Sequence, residues 1–319
     1  MKFSVVIPLY NKAPYVAKAL RSVLSQTFSD YELIVMDDGS KDDSFCIASR
    51  EIEGKSHCHI YRQRNQGVSM ARNNAVALSQ GDFLCFLDAD DWWDPLFLEE
   101  MSRLIDDYPD AGIYGTNYTI VNEKRHKTRV ASVGVDSGFE RGLINYCRVY
   151  SKTMYMPLWT GAVSMPRAVF DEMGGFPAGI KLGEDFLLWI RVALKYDVAF
   201  LNKVLSFYNQ DVDVAHRGVE HLHDPQCHML WNLGFLEEEE RNNEDVKQLL
   251  DNLRTFSLMP YLLSKEYRST ARHELAKVNW DCQPQKVRKL YRQPLVWLKM
   301  ITMLKKMASN MKQKALSAK

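Results

Sequence analysis

The sequence is poor in the features that mark secreted, membrane-spanning or nucleic-acid-binding chains. Its six cysteines (46, 58, 85, 147, 227 and 282) form no CxxC pair, which excludes a disulfide scaffold or zinc ribbon and leaves reduced thiols in a cytoplasmic protein as the expectation. The group His221, His223, Cys227 and His228 has the spacing of no structural zinc site. No stretch approaches the ~20 apolar residues of a spanning helix. The chain enters a strand pattern at Phe3 without the basic, apolar and small-residue series of a secretory signal. A net charge of +1 provides no field for a polyanion, so no nucleic-acid partner is expected. Neither GxGxxG nor GxxxxGK(S/T) occurs, which weakens dinucleotide and P-loop readings. What the 319 residues do allow is a sizeable core in one large domain or about two.

The most informative stretch is Asp82 to Asp91, DFLCFLDADD. Phe83 to Leu87 reads as a strand buried on both faces, and it ends in Asp88, Ala89, Asp90 and Asp91. Strand alternation would point Asp88 and Asp90 the same way, two hard oxygen donors suited to Mg²⁺ or Mn²⁺ and, through the ion, to a diphosphate. An acidic turn closing a strand is the plainer alternative.

Around this stretch strands alternate with helices. Phe3 to Leu9 and Glu32 to Met36 read as buried strands, and a short one falls near His59 to Arg62. Pro14 to Phe28, Asp42 to Glu53 and Gly67 to Ser79 read as helices. That order predicts an α/β fold with a mostly parallel sheet, right-handed crossovers and a ligand site beyond the carboxyl ends of the strands. Pro8-Leu9-Tyr10-Asn11, Asp37-Asp38-Gly39-Ser40 and Asp88 to Asp91 fall at those ends. Together they would cradle a nucleotide, with Tyr10 against a base and Asp38 accepting from a base imide or a ribose hydroxyl. Taken singly, Tyr10 also reads as a strand-end aromatic and the Asp37 to Ser40 run as a turn with a helix cap.

Farther on, Leu96 to Tyr108 reads as a helix, and Gly112 to Val121 and Trp159 to Met165 as strands joined by the polar connection Asn122 to Gly138. Gly183-Glu184-Asp185 opens an apolar helix, Phe186 to Tyr196, before a closing edge strand over Val198 to Tyr208. A carboxylate at a helix N-terminus either interacts with the helix dipole or serves as a general base toward an acceptor hydroxyl.

Four separated blocks carry a resemblance: VVIPLYNKAPYVAKALRSVLSQTF, ELIVMDDGSKDDS, NQGVSMARNNAVALSQGDFLCFLDADDWW and WTGAVSMPRAVFDEMGGFPAGIKLGEDFLLWIRV. In this order they resemble the family 2 glycosyltransferases of the GT-A (Rossmann-like) fold, over about residues 1 to 210. The resemblance implies that Pro8, Tyr10, Asp38, Asn65 and Arg72 contact the nucleotide. Asp88 and Asp90 would be the DXD pair on metal and diphosphate, with Ala89 between them on the donor side. Asp185 would be the base, Glu184 beside it would contact sugar or metal, and His216 lies where related enzymes place a late metal ligand. Implied too are Mn²⁺ or Mg²⁺, a UDP-sugar donor, and a glycan or lipid-linked saccharide acceptor in bacterial surface-polysaccharide synthesis. With a single base opposite the leaving group the anomeric centre inverts. A transferase-like fold that binds glycan or partners without catalysis is the alternative from another class.

Residues 1–215 therefore read as the transferase domain and 216–319 as a helical extension, in which Leu230 to Leu253 and Arg268 to Val278 are the expected helices. Between Gln283 and Lys319 there are ten Lys and Arg and no acid. There Trp297, Ile301, Leu304 and Met311 share one helical face and Lys299, Lys305, Lys306 and Lys312 the opposite one. A basic amphipathic helix of this kind fits either peripheral contact with an anionic membrane at the inner cytoplasmic face or packing on the enzyme or a partner.

Overall fold

The structure is a computed structural model, and it describes residues 2–122, 127–211 and 222–304. A ten-stranded sheet runs through the first two thirds of the chain. Strands β1 (Phe3–Leu9) and β2 (Tyr31–Asp37) are buried at every position. That is why they read as largely apolar runs, broken only by Ser4 in β1 and by Glu32 and Asp37 in β2: helices α1 (Val16–Leu24), α2 (Ser44–Glu51) and α3 (Val68–Leu78) cover the sheet. With β3 (Cys58–Arg62) and β4 (Phe83–Phe86) they form a parallel set in the order β3-β2-β1-β4.

Beyond β4 the sheet becomes mixed. The chain passes through the two-residue β5 (Trp92–Trp93), helix α4 (Phe97–Asp107), β6 (Ile113–Asn122), β7 (Lys127–Val130), β8 (Arg141–Ile144) and helix α5 (Tyr146–Thr153). Then come β9 (Val163–Pro166), α6 (Arg167–Glu172), α7 (Glu184–Lys195) and β10 (Val198–Asn209). Strand β9 is inserted antiparallel between β4 and β6, and β6 pairs parallel with β10. The mostly parallel sheet expected from the sequence is thus parallel only in its first half and across the β6–β10 pair. Strand β10 is an interior strand, flanked by β6, β5 and β8, and corrects the expected edge. Edge and interior strands differ in long-range pairing, which the local apolar pattern does not encode.

At the amino end of β4, Glu32 accepts hydrogen bonds from Ser4 Oγ (2.7 Å), the Gly81 amide (3.1 Å) and the Gln80 amide. This buried carboxylate ties the turn before β4 to β1 and β2, which fixes where β4 begins.

The later residues form α8 (Glu237–Asn242), α9 (Glu244–Ser257), α10 (Met259–Leu263), α11 (Arg268–Ala276) and α12 (Gln285–Tyr291), and residues 295–304 are again helical. The single helix expected over Leu230 to Leu253 is instead two short 3-10 turns followed by α8 and α9. Asn243 caps α9 by accepting from the Asp245 and Val246 amides at 3.1 and 3.3 Å, so the chain restarts there. One apolar cluster joins Phe86, Phe176, Phe186 and Trp189 to Leu236, Leu249, Leu250, Leu275 and Leu298.

Candidate active site

The loop after β1 is stitched to the loop after β2. The Asn11 amide donates to Ser40 Oγ (3.0 Å), the Lys12 amide to Ser44 Oγ (2.7 Å) and the Ala13 amide to Asp42 Oδ2 (3.1 Å). Pro8 is buried within β1 opposite Met36, and Tyr10 stands out at the strand's end, 39% exposed. Asp38 is buried, and it collects the loop that leads into α3: Gln63 Nε2 and the Gln66 amide donate to its Oδ1 at 2.8 Å each, and the Gly67 amide to its Oδ2 at 2.9 Å. Asn65 Nδ2 donates to the Asp38 carbonyl at 3.0 Å. Asp38 therefore orders the 63–67 loop, while Tyr10 stays exposed at the end of β1.

The acidic run is a turn and not a continued strand. The Asp91 amide donates to the Asp88 carbonyl at 3.0 Å, and Ala89 is buried at the turn's centre. Asp88 and Asp90 consequently meet different cations. Arg72 Nη2 lies 2.7 Å from Asp88 Oδ1, while Lys12 Nζ lies 2.6 Å from Asp90 Oδ2. Asp91 is buried and accepts from the Asn209 amide at 2.8 Å, which joins the turn to the end of β10. Burial pushes the carboxyls of Asp90 and Asp91 above the usual range; Lys12 pulls Asp90 back down, and the neighbouring Asp90 and Asp88 push Asp91 further up.

Arg72 also reaches across the site, its Nη1 2.9 Å from Glu184 Oε1 at the start of α7. It is 3% exposed and packs over the Phe176 ring. Burial alone would lower its pKa, but Asp88 and Glu184 outweigh that and leave it raised. Burial raises the Glu184 carboxyl too, against the pull of Arg72. Asp185 is held by Thr160, whose Oγ1 donates to Oδ2 at 2.8 Å, and by the Phe186 amide, which donates to Oδ1 at 2.7 Å. Burial pushes its carboxyl up; Thr160 and Arg72 pull it down. Beside Thr160, Trp159 stacks on Tyr118 and leans on Tyr208, with ring centroids 5.6 and 4.3 Å away.

The structure thus brings Arg72, Asp88, Asp90, Glu184 and Asp185 together at the carboxyl end of β4. Sequence reasoning missed Lys12 and Thr160. His216 lies outside the described residues, as does His221. His228 caps a 3-10 turn, its Nδ1 accepting from the Leu230 amide at 3.1 Å. Among the described residues no three His, Cys, Asp or Glu side chains converge on one point. The carboxylates of Asp88 and Asp90 still fit Mg²⁺ or Mn²⁺ in kind: both are hard donors, a cationic ammonium already sits on one of them, and such ions usually complete their shells with water and phosphate oxygens.

The family profile described as Glycosyl transferase family 2 matches residues 4–160. An uncharacterized glycosyltransferase of Rickettsia felis is 31% identical over 211 residues, which is 64% of this chain and 32% of that protein. Glycosyltransferase GlyA of Streptococcus pneumoniae is 32% identical over 214 residues, 65% of this chain and 30% of GlyA. The chain thus spans about a third of the length of these relatives. Among solved structures, residues 1–349 of S. aureus TarS in complex with UDP-GlcNAc superpose with a TM-score of 0.70 at 20% identity, covering 94% of this chain and 88% of that one. The mannosyltransferase PcManGT of Pyrobaculum calidifontis, in complex with GDP-Man and Mn²⁺, gives 0.57 at 18% identity, covering 99% and 85%. Over residues 4–160, just under half of its length, the chain matches glycosyl transferase family 2, and its architecture is the GT-A fold.

Proposed function

We propose that the protein transfers a sugar from a nucleoside-diphosphate donor, a UDP-sugar, to a hydroxyl of a glycan or lipid-linked saccharide, with inversion at the anomeric carbon. The observation that carries this reading is the single guanidinium of Arg72 joining Asp88, after β4, to Glu184, beside Asp185 on α7. One side of the site has the chemistry to manage a diphosphate and the other to manage a hydroxyl, and Arg72 sets their separation.

In this reading Tyr10 offers its ring to the base, and Asp38 shapes the nucleotide wall through the 63–67 loop. A divalent cation on Asp88 and Asp90 would supply charge against the departing diphosphate. Asp185 takes the proton of the acceptor hydroxyl as its oxygen bonds to the anomeric carbon and the sugar–phosphate bond breaks. Thr160 holds Oδ2 in place for that task. Trp159 and Tyr208 provide an aromatic wall beside the base, a surface suited to a sugar ring.

Location is part of the same proposal. No helix among the described residues is long and apolar enough to cross a membrane. Over 295–304 Leu298 is buried while Val296, Trp297, Met300, Met303 and Leu304 are exposed. Ten basic residues and no acid between 283 and 319 suit that face to an anionic bilayer. We place the enzyme at the inner membrane surface, on the 1–215 transferase domain and 216–319 extension expected from the sequence. Incubation with UDP-sugars and Mn²⁺ tests the activity: release of UDP with at least one donor is expected, and neither release nor metal-dependent nucleotide binding with any donor would leave a binding protein instead.

A further inference from the structure

Two cations neutralise the acidic cluster, and they are built differently. Arg72 is fixed: it is buried, forked between two carboxylates and packed over Phe176. Among the described residues Lys12 makes one ion pair, to Asp90, at the end of a four-carbon stem, with both side chains about one-sixth exposed (16% and 17%). Its backbone is pinned by Ser44, and its neighbours by Ser40 and Asp42, so only the side chain is free to swing. Asp90 has Asp88 and Asp91 beside it, and without Lys12 a largely enclosed carboxylate would face two others.

We infer that Lys12 is a tethered counter-cation: its ammonium occupies Asp90 in the metal-free protein, yields that carboxylate to the divalent ion, and then donates to the diphosphate oxygens of the donor. The inference rests on the transferase reading above and adds a role for a side chain that reading does not use. The chemistry favours the exchange. An ammonium is a compact charge with three rotatable donors, able to serve a carboxylate in one position and phosphate oxygens in another. A divalent ion competes for Asp90 with twice the charge, and the displaced ammonium meets the most negative part of the incoming ligand.

Calorimetry on the full chain, stripped of metal, tests it by measuring Mn²⁺ affinity without nucleotide and UDP affinity at saturating Mn²⁺. For Lys12→Met, which keeps the stem and removes the competitor, Mn²⁺ is expected to bind about fivefold tighter and UDP about tenfold weaker, shifts of the size one exchanged ion pair produces. Lys12→Arg, which keeps the charge, is expected to hold both affinities within about threefold of the wild type. A bridge that merely fastens the loop to the turn would move both affinities the same way, or neither, and that result overturns the inference while leaving the transferase reading intact. Wild-type protein that binds neither Mn²⁺ nor UDP overturns the reading and the inference together.

Discussion

Arg72 and Asp88 meet at 2.7 Å in a setting where the guanidinium is 3% exposed. Because the same group holds Glu184 at 2.9 Å, its loss would strand two carboxylates. Arg72→Met is expected to cost about 3 kcal/mol of unfolding free energy, the scale for removing one partner of a buried ion pair. Arg72→Lys should recover part of it, since an ammonium cannot fork between two acceptors. Urea titrations followed by circular dichroism measure both.

Asp185, the proposed base, gives a pH signature. A base works only when ionised, and burial raises this carboxyl above its ordinary value. The acid limb of the rate profile should therefore lie above the ordinary aspartate value of about 3.9. Thr160 is one of the groups that pull it down, so Thr160→Val is expected to move that limb further upward while the plateau at high pH changes less. Asp185→Asn should lower kcat by about 10²–10⁴-fold with UDP binding retained. A limb that Thr160→Val leaves in place would remove Asp185 from the base role.

Stability should fall in mild acid because of His228. Burial lowers its pKa from 6.5 to about 4, and its Nδ1 accepts the Leu230 amide, which requires the neutral ring. The folded value is below the unfolded one, so the unfolded chain binds more protons between them and stability rises with pH across that window. The contribution is complete above pH 6.5 and is lost as pH falls through 4, about 3 kcal/mol in all. His228→Asn, which keeps an acceptor but does not titrate, should flatten that part of the melting-temperature profile.

Gly183 precedes Glu184 and Asp185 at φ +83°, and a Cβ there would lie 2.3 Å from Met229 Sδ and 2.8 Å from its Cβ. Gly183→Ala is expected to destabilise by about 1–3 kcal/mol through backbone strain alone. It should also lower kcat, because the start of α7 carries both carboxylates. Thermal melts and UDP-release rates on the same preparation show whether the two losses occur together.

How much of this was legible in the sequence depends on how local each feature is. Strands β1, β2 and β4 declared themselves because burial on both faces leaves mostly apolar residues, with the buried Ser4 and Glu32 bonded to each other. The three polar strand ends followed from where those runs stop. The interior place of β10 did not, since Val198 to Tyr208 looks alike whether it has one neighbour or three. Strand alternation predicts Asp88 and Asp90 on one side, with an acidic turn as the plainer alternative; the chain makes that turn, and the two carboxylates face separate cations. Lys12 and Thr160 escaped notice because each is defined by a partner, 78 and 25 positions away, and no spacing rule connects them.

The apolar cluster that joins Trp189 to Leu249, Leu250 and Leu298 has a bearing on how small this protein can become. Helix α7 turns its acidic tip toward Arg72 and rests its flank on residues far downstream. A chain trimmed after β4 would keep the parallel strands yet lose the keel beneath the helix that carries Asp185. Economy of length and accuracy of aim are, in this architecture, opposed.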